Sequence, residues 1–255
     1  MDMMPYPCST TREEKLHFVY RAKDKLLALH GDGILAVGIY GSLGRGSDGP
    51  YSDIEIHVVT RDGYSLQGHE FIWLPFKLEI SAVTETEFRN KAAGCDDGWP
   101  IRAGSYVDIL PIHDPDSLFD EIKKVPSSIP DETVRETMRQ FMIWEPYETM
   151  AKIRNSHCSG NWNYLPTGAT DLAWQTAKLV GLANRRYFST RARTLEEATG
   201  MPLKPAGFTE LAASVMAGDL TDKNRVYRLC EKLWTGLNEW FRELGIEYRS
   251  KEWPF

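Results

Sequence analysis

Long apolar runs are missing from this chain: no stretch of its 255 residues approaches the roughly 18 consecutive apolar positions that a membrane-crossing helix requires. The opening residues, Met1 to Ser9, also lack the basic flank and apolar run of a secretory signal. Cysteine is scarce. Its four copies, Cys8, Cys95, Cys158 and Cys230, lie far apart with no C-x-x-C spacing, so neither a disulfide framework nor a zinc site is indicated. Reduced thiols, a cytoplasmic location and no membrane partner are the resulting expectations. A surplus of positive charge is absent as well: the formal net charge is −6, which offers no clustered Lys and Arg for a phosphate backbone. A nucleic-acid partner is disfavoured. An acidic balance suits a small cation instead, provided the acids converge on a cleft.

What is present is a composition that folds. Hydrophobic residues make up 42% and charged residues 26%, which gives intrinsic disorder no support. Leu16, Val19, Ala22, Leu26 and Leu27 recur at helical spacing between Thr11 and His30, and Thr11 with Glu14 fits a capping box. Ile34 to Tyr40 reads as a buried strand, followed by a Gly-rich loop. Further strands are expected over Ile54 to Thr60, Phe76 to Ala82 and Tyr106 to His113, with a helix from Thr84 to Ala93. These elements predict a sheet with flanking helices, covered mainly on one face. After about Asp114 only helical patterns remain: Asp131 to His157, Ala169 to Tyr187 and Thr221 to Leu244. Pro146 should kink or split the first of these, because it removes a backbone donor and clashes with the preceding turn. The expected fold class is therefore α+β, a sheet domain over 1–125 and a helical bundle over 126–255.

The chemistry concentrates between Gly41 and Glu55. Small residues directly after a strand, Gly41-Ser42-Leu43-Gly44, let backbone amides approach phosphates; Ser42 adds a hydroxyl, and Arg45 can meet phosphate oxygens with its planar fork. Asp53 and Glu55 open the next strand two residues apart, so both carboxylates face the same side and can share a hard cation. Magnesium and a nucleoside triphosphate are the implied pair. Glu79, between Leu78 and Ile80, lies opposite the apolar face of its strand and reads either as a solvent-facing residue of an antiparallel strand or as a third acid for the same site. His57 belongs to no recognisable metal set and reads as structural. The tryptophan- and leucine-rich helices carrying Trp174, Leu179, Leu182, Trp234 and Trp240 read as plain core or as a dimer surface.

The G-S loop, the D-x-E pair and a third acid on a later strand resemble the signature of the polymerase-beta-like nucleotidyltransferase superfamily. The string from Gly38 through Arg45, continued by Asp48-Gly49-Pro50-Tyr51-Ser52-Asp53-Ile54-Glu55, is similar to the kanamycin nucleotidyltransferase family, the aminoglycoside 4′-O-nucleotidyltransferases. His69-Glu70, Lys77-Leu78-Glu79, Trp99-Pro100, Ile109 to Ile112, Glu148 with Lys152 to Asn155, and Pro254-Phe255 extend the resemblance over nearly the whole chain. It implies transfer of AMP from MgATP, or of a nucleoside monophosphate from another nucleoside triphosphate, to the 4′-hydroxyl of aminoglycosides such as kanamycin or tobramycin. Pyrophosphate leaves, and the antibiotic is inactivated.

By the same resemblance Asp53 and Glu55 hold magnesium, and Gly41, Ser42, Arg45, Ser52 and Lys152 handle the nucleotide. Glu148 is the general base, and Glu70, Lys77, Glu79 and Glu148 line the aminoglycoside site. It further implies a homodimer with shared active sites. Trp144 stands where the family has an acid and Pro146 interrupts the helix just before Glu148, which bears on substrate range. The residues alone leave the acceptor open: a protein hydroxyl, another small molecule, or no acceptor at all in a non-catalytic nucleotide-binding protein.

Overall fold

The computed structural model describes residues 6–253; the terminal Pro254-Phe255 singled out above lies outside them. The chain divides into two compact units, Met1–Gly94 with Arg102–Ile129, and Cys95–Ile101 with Pro130–Phe255. In chain order the elements are α1 (Arg12–His30), β1 (Ile34–Ile39), α2 (Gly41–Arg45), β2 (Ile54–Thr60), β3 (His69–Trp73), β4 (Phe76–Thr84) and α3 (Glu85–Ala93). Then follow α4 (Trp99–Arg102), α5 (Gly104–Val107), β5 (Leu110–His113), α6 (Leu118–Ile122), α7 (Asp131–Trp144) and α8 (Pro146–Ser159). The last are α9 (Leu165–Ala183), α10 (Thr194–Thr199), α11 (Phe208–Met216) and α12 (Lys223–Glu243).

In the first unit the described strands form one sheet in the order β3-β4-β2-β1-β5. Only β2 and β4 run parallel; the other neighbours are antiparallel. Helix α1 starts where Thr11 accepts from the Glu14 amide and Glu14 reaches back to the Thr11 amide, an arrangement that stabilises a helix start by about 1 kcal/mol. It lays Val19 against Val37, Ile39, Ile54, Ile56, Val58 and Leu78 on one face of the sheet. The other face is covered too. Ala36, Tyr40 and Val59 pack there against Phe88 and Ala92 of α3, Tyr106 of α5 and Phe119 and Ile122 of α6. Coverage of both faces, where mainly one was expected, follows from β1, whose apolar residues leave no polar side to present to water.

Three local differences from the sequence reading have physical causes. Tyr106 lies in α5 rather than in a strand, because the amides of Tyr106 and Val107 return to the Ala103 carbonyl; β5 begins only at Leu110. The Gly-rich loop is the single helical turn α2. Strand β3 is an edge strand with every residue exposed, so it shows no alternation to read.

The second unit is built around α9, where Leu172, Ala173, Ala177, Leu179, Val180 and Leu182 are fully buried; each large side chain contributes about 1.5–3 kcal/mol. Pro146 splits the long helical pattern into α7 and α8. Trp234 and Trp240 are buried in the core of this unit, and Trp174 is half-buried beneath Arg191. The Cys95–Ile101 excursion belongs here because the Phe188 amide donates to Pro100 at 2.7 Å and Thr137 Oγ1 donates to the Cys95 carbonyl at 3.1 Å. Composition does not announce it, and the division at Ile129 falls slightly beyond the expected 125. Among the described residues no helix is long and apolar enough to cross a membrane.

Candidate active site

Strand register, more than loop shape, assembles the acids. Parallel pairing of β2 with β4 sets Glu55 beside Glu79, and antiparallel pairing of β3 with β4 sets Glu70 beside Glu79. Three carboxylates thus form a row across three strands on one face. Asp53 precedes Glu55 by two residues and projects to the same side. Lys77 lies between the rows, with Nζ 3.1 Å from Asp53 Oδ2 and 3.0 Å from Glu70 Oε1. Its ammonium is held above the ordinary lysine range chiefly by the hydrogen bond to Glu70; burial opposes that and Asp53 adds to it. Lys77, Glu70 and Asp53 are therefore brought together, as are Glu55 and Glu79.

The Glu55 carboxyl is pushed up to about 7, first by burial and then by the charges of Asp53 and Glu79, which Lys77 and Arg45 only partly offset. Crowded carboxylates of this kind are short of positive charge, and an oxygen donor set suits a hard divalent cation. Magnesium therefore fits Asp53 and Glu55. Among the described residues no group of three or more His, Cys, Asp or Glu side chains is gathered to hold a metal ion alone. A pair of carboxylates is consistent with magnesium all the same, since this ion habitually takes its remaining ligands from water and substrate phosphates.

Gly41 is required by the geometry of Glu55. Its φ is +65°, and a Cβ built there would lie 1.7 Å from Glu55 Oε2. Ser42 and Arg45 occupy the same turn, α2, whose start carries no side-chain cap. Arg45 Nη1 donates to Asp108 Oδ2 at 2.9 Å, which aims the guanidinium. Ser52 closes the turn ahead of Asp53: its Oγ accepts from the Gly49 amide at 3.0 Å and its amide donates to the Gly49 carbonyl at 3.2 Å.

Sequence reading missed Tyr40 and Asp108. The buried Tyr40 hydroxyl donates to Glu79 Oε1 at 2.9 Å, and burial followed by the nearby carboxylates raises its ionisation well above the ordinary phenol range. Tyr40 therefore remains a proton donor to the third acid. Its ring stacks on His57 at 3.9 Å, and His57 stacks on Tyr106 at 5.7 Å. Burial lowers His57 to about 3, so it is neutral, with Nε2 donating to the Ser105 carbonyl at 3.0 Å. His57 is a support for Tyr40, in keeping with the structural role expected of it. An aromatic residue immediately before Gly41 was the available signal for Tyr40.

Glu148 and Lys152 lie in the second unit on α8, with Lys152 Nζ 2.7 Å from Glu148 Oε1 and both side chains more than half exposed. The hydrogen bond to Glu148 raises the Lys152 ammonium above its ordinary range. Trp144 ends α7 and is 74% exposed.

This architecture has a counterpart among solved structures. The fold is similar to that of a nucleotidyltransferase-like protein from Exiguobacterium sibiricum, with a TM-score of 0.53 over 89% of this chain and 75% of that one. At 13% sequence identity the likeness speaks for the fold alone. The family is set by sequence. Residues 116–247 match the KNTase C-terminal domain family. Over 250 residues the chain is 32% identical to an aminoglycoside nucleotidyltransferase (4') from Staphylococcus aureus, covering 98% of this chain and 99% of the relative. The same identity and coverage hold for an aminoglycoside nucleotidyltransferase (4') from Bacillus sp. The chain belongs to the aminoglycoside nucleotidyltransferase (4') family.

Proposed function

We propose that this protein inactivates aminoglycoside antibiotics by transferring the nucleoside monophosphate of a magnesium-bound nucleoside triphosphate, ATP among them, to the 4′-hydroxyl, with release of pyrophosphate. The observation that carries the reading is the registered row Glu55, Glu79 and Glu70, with Asp53 alongside, in a member of this family. Asp53 and Glu55 are the residues that would hold magnesium, which when bound neutralises charge at the phosphorus under attack. Ser42, Arg45, Ser52 and the start of α2 bind the phosphates, with Arg45 oriented by Asp108. Glu70 and Glu79 offer carboxylates to the ammonium groups of an aminoglycoside, and Lys77, already paired to acids, meets a substrate hydroxyl.

Glu148 takes the proton from the attacking hydroxyl, and Lys152 sits against the charge on the transferred phosphate. On transfer, the bond from the hydroxyl oxygen to the α-phosphorus forms as the bond to the pyrophosphate oxygen breaks. The reading includes a homodimer with shared active sites in the cytoplasm. To test it, purified protein is mixed with magnesium, ATP and kanamycin or tobramycin. Pyrophosphate release and a drug product heavier by one AMP are expected, with no product from aminoglycosides lacking a 4′-hydroxyl. Absence of product across all 4′-hydroxyl aminoglycosides overturns the proposal, and label transferred to a protein instead would redirect it to another acceptor.

A further inference from the structure

The most fully enclosed charge among the described residues of the first unit pairs with none of Asp53, Glu55, Glu70 and Glu79. Lys15, in the first turns of α1, has a side chain with no solvent exposure; its Nζ donates to Asp48 Oδ2 at 3.0 Å and to the Gly49 carbonyl at 2.6 Å. The Asp48 side chain is itself only 3% exposed and is also bound by Arg12. Arg12 Nη1 donates in addition to the Leu43 carbonyl of α2 at 3.0 Å. Thr10 reaches the same segment, its amide and hydroxyl both donating to the Pro50 carbonyl at 2.8 and 3.2 Å. The entry to α1 is thereby fastened both to the turn bearing Ser42 and Arg45 and to the segment leading into Asp53.

A buried ammonium–carboxylate pair is a poor source of net stability, because taking both charges out of water offsets most of their attraction. What such a pair supplies is position. The Gly49 carbonyl that Lys15 holds also accepts from the Ser52 amide, and Asp53 follows next in the chain. Moving Lys15 therefore moves the turn from which Asp53 enters its strand. The orienting hydrogen bonds behind a metal ligand commonly decide its affinity as much as the ligand does.

We infer that Lys15, together with Arg12 and Asp48, is a positioning element that sets Ser52 and Asp53 for the magnesium-bound nucleotide. This rests on the nucleotidyl transfer proposed above. Lys15 is a positioning residue and not a catalytic one, since its side chain has no solvent exposure from which to meet a ligand.

The test is calorimetric titration with the α,β-methylene analogue of ATP, which cannot transfer its nucleotidyl group, with and without magnesium. The readout is the gain in affinity that magnesium brings. Lys15→Met should reduce that gain by about tenfold, the low end of losses seen when a ligand's supporting hydrogen bonds are removed. Val19→Ala, buried on the same helix but packed against the sheet, should lower the melting temperature and leave the gain within about twofold, because it removes packing alone. If Lys15→Met does not yield folded protein, Arg12→Gln carries the test, its side chain being 40% exposed; a reduction of about threefold is expected from loss of one of the two supports. A full magnesium gain in either folded variant overturns the positioning role while leaving the proposed reaction standing. No magnesium gain in the unmodified protein overturns both.

Discussion

Two lysine–carboxylate arrangements, one in each unit, look alike in distance and differ in origin. Lys77 is 3.1 and 3.0 Å from Asp53 and Glu70, and Lys152 is 2.7 Å from Glu148. The first joins three strands, since Asp53, Lys77 and Glu70 reach one another only through the β2-β4-β3 pairing. The second joins residues four apart on one helix, a contact that an isolated helix already provides. A short distance is therefore no measure of constraint. The sheet acids are fixed by tertiary geometry before any ligand arrives, whereas the pair on α8, more than half exposed, can separate at little cost. The proposed reaction calls for both behaviours: fixed charges to receive a nucleotide, and a base free to give up its partner and take a proton.

The contrast is most severely tested at Asp53. Asp53→Asn removes a carboxylate from the fixed side and should lower turnover about a thousandfold or more, some 4 kcal/mol; pyrophosphate release with ATP and kanamycin measures it. Retention of a tenth of the activity would show that the sheet acids are not the cation site. Glu148→Gln comes next. It should reduce turnover about a hundredfold if a general base is lost, while the melting temperature stays essentially unchanged, as for an exposed pair. A large loss of stability instead would mean that the α8 pair is structural, and the comparison would collapse. Gly41→Ala follows. The alanine Cβ must displace the Glu55 carboxyl and adopt a positive φ, so turnover should fall at least about tenfold and stability by about 1–2 kcal/mol.

How much of this was legible depended on whether the information was local. The capping box of Thr11 and Glu14, the apolar run of β1, the D-x-E spacing and the break at Pro146 are written in neighbouring residues, and each appears in the structure. The alignment of Glu55 with Glu79 depends on pairing strands distant in sequence, so only the opposite-face position of Glu79 could be read. Lys15 illustrates the limit. Next to Leu16 in a helical pattern it reads as a solvated charge, and only the return of Asp48 and Gly49 to its side buries it. Edge strand β3 and the Cys95–Ile101 excursion were invisible for the same reason: long-range contacts define them. The acceptor, the base and the 4′ position came from resemblance and not from any residue's chemistry.

The smallest expected effect is a slope, and it separates the same two kinds of charge by stability. Burial by itself would raise the Asp48 carboxyl, but hydrogen bonds from Lys15 and Arg12, reinforced by their charges, hold it below the ordinary aspartate range. A carboxyl lowered in the folded state binds its proton more readily when unfolded, so its contribution is fully present above the unfolded value of about 3.9 and is lost as pH falls through the folded one. Lys15 and Arg12 are the charged groups facing it. Asp48→Asn abolishes the titration. Thermal melts from pH 7 to pH 3 should therefore show the unmodified protein above Asp48→Asn at neutral pH, with the gap narrowing below about pH 4 as the wild-type carboxyl protonates. A gap that stays constant down to pH 3 would mean that the Asp48 charge carries none of the stabilisation, and that the loop is held by the Gly49 and Pro50 carbonyl contacts alone.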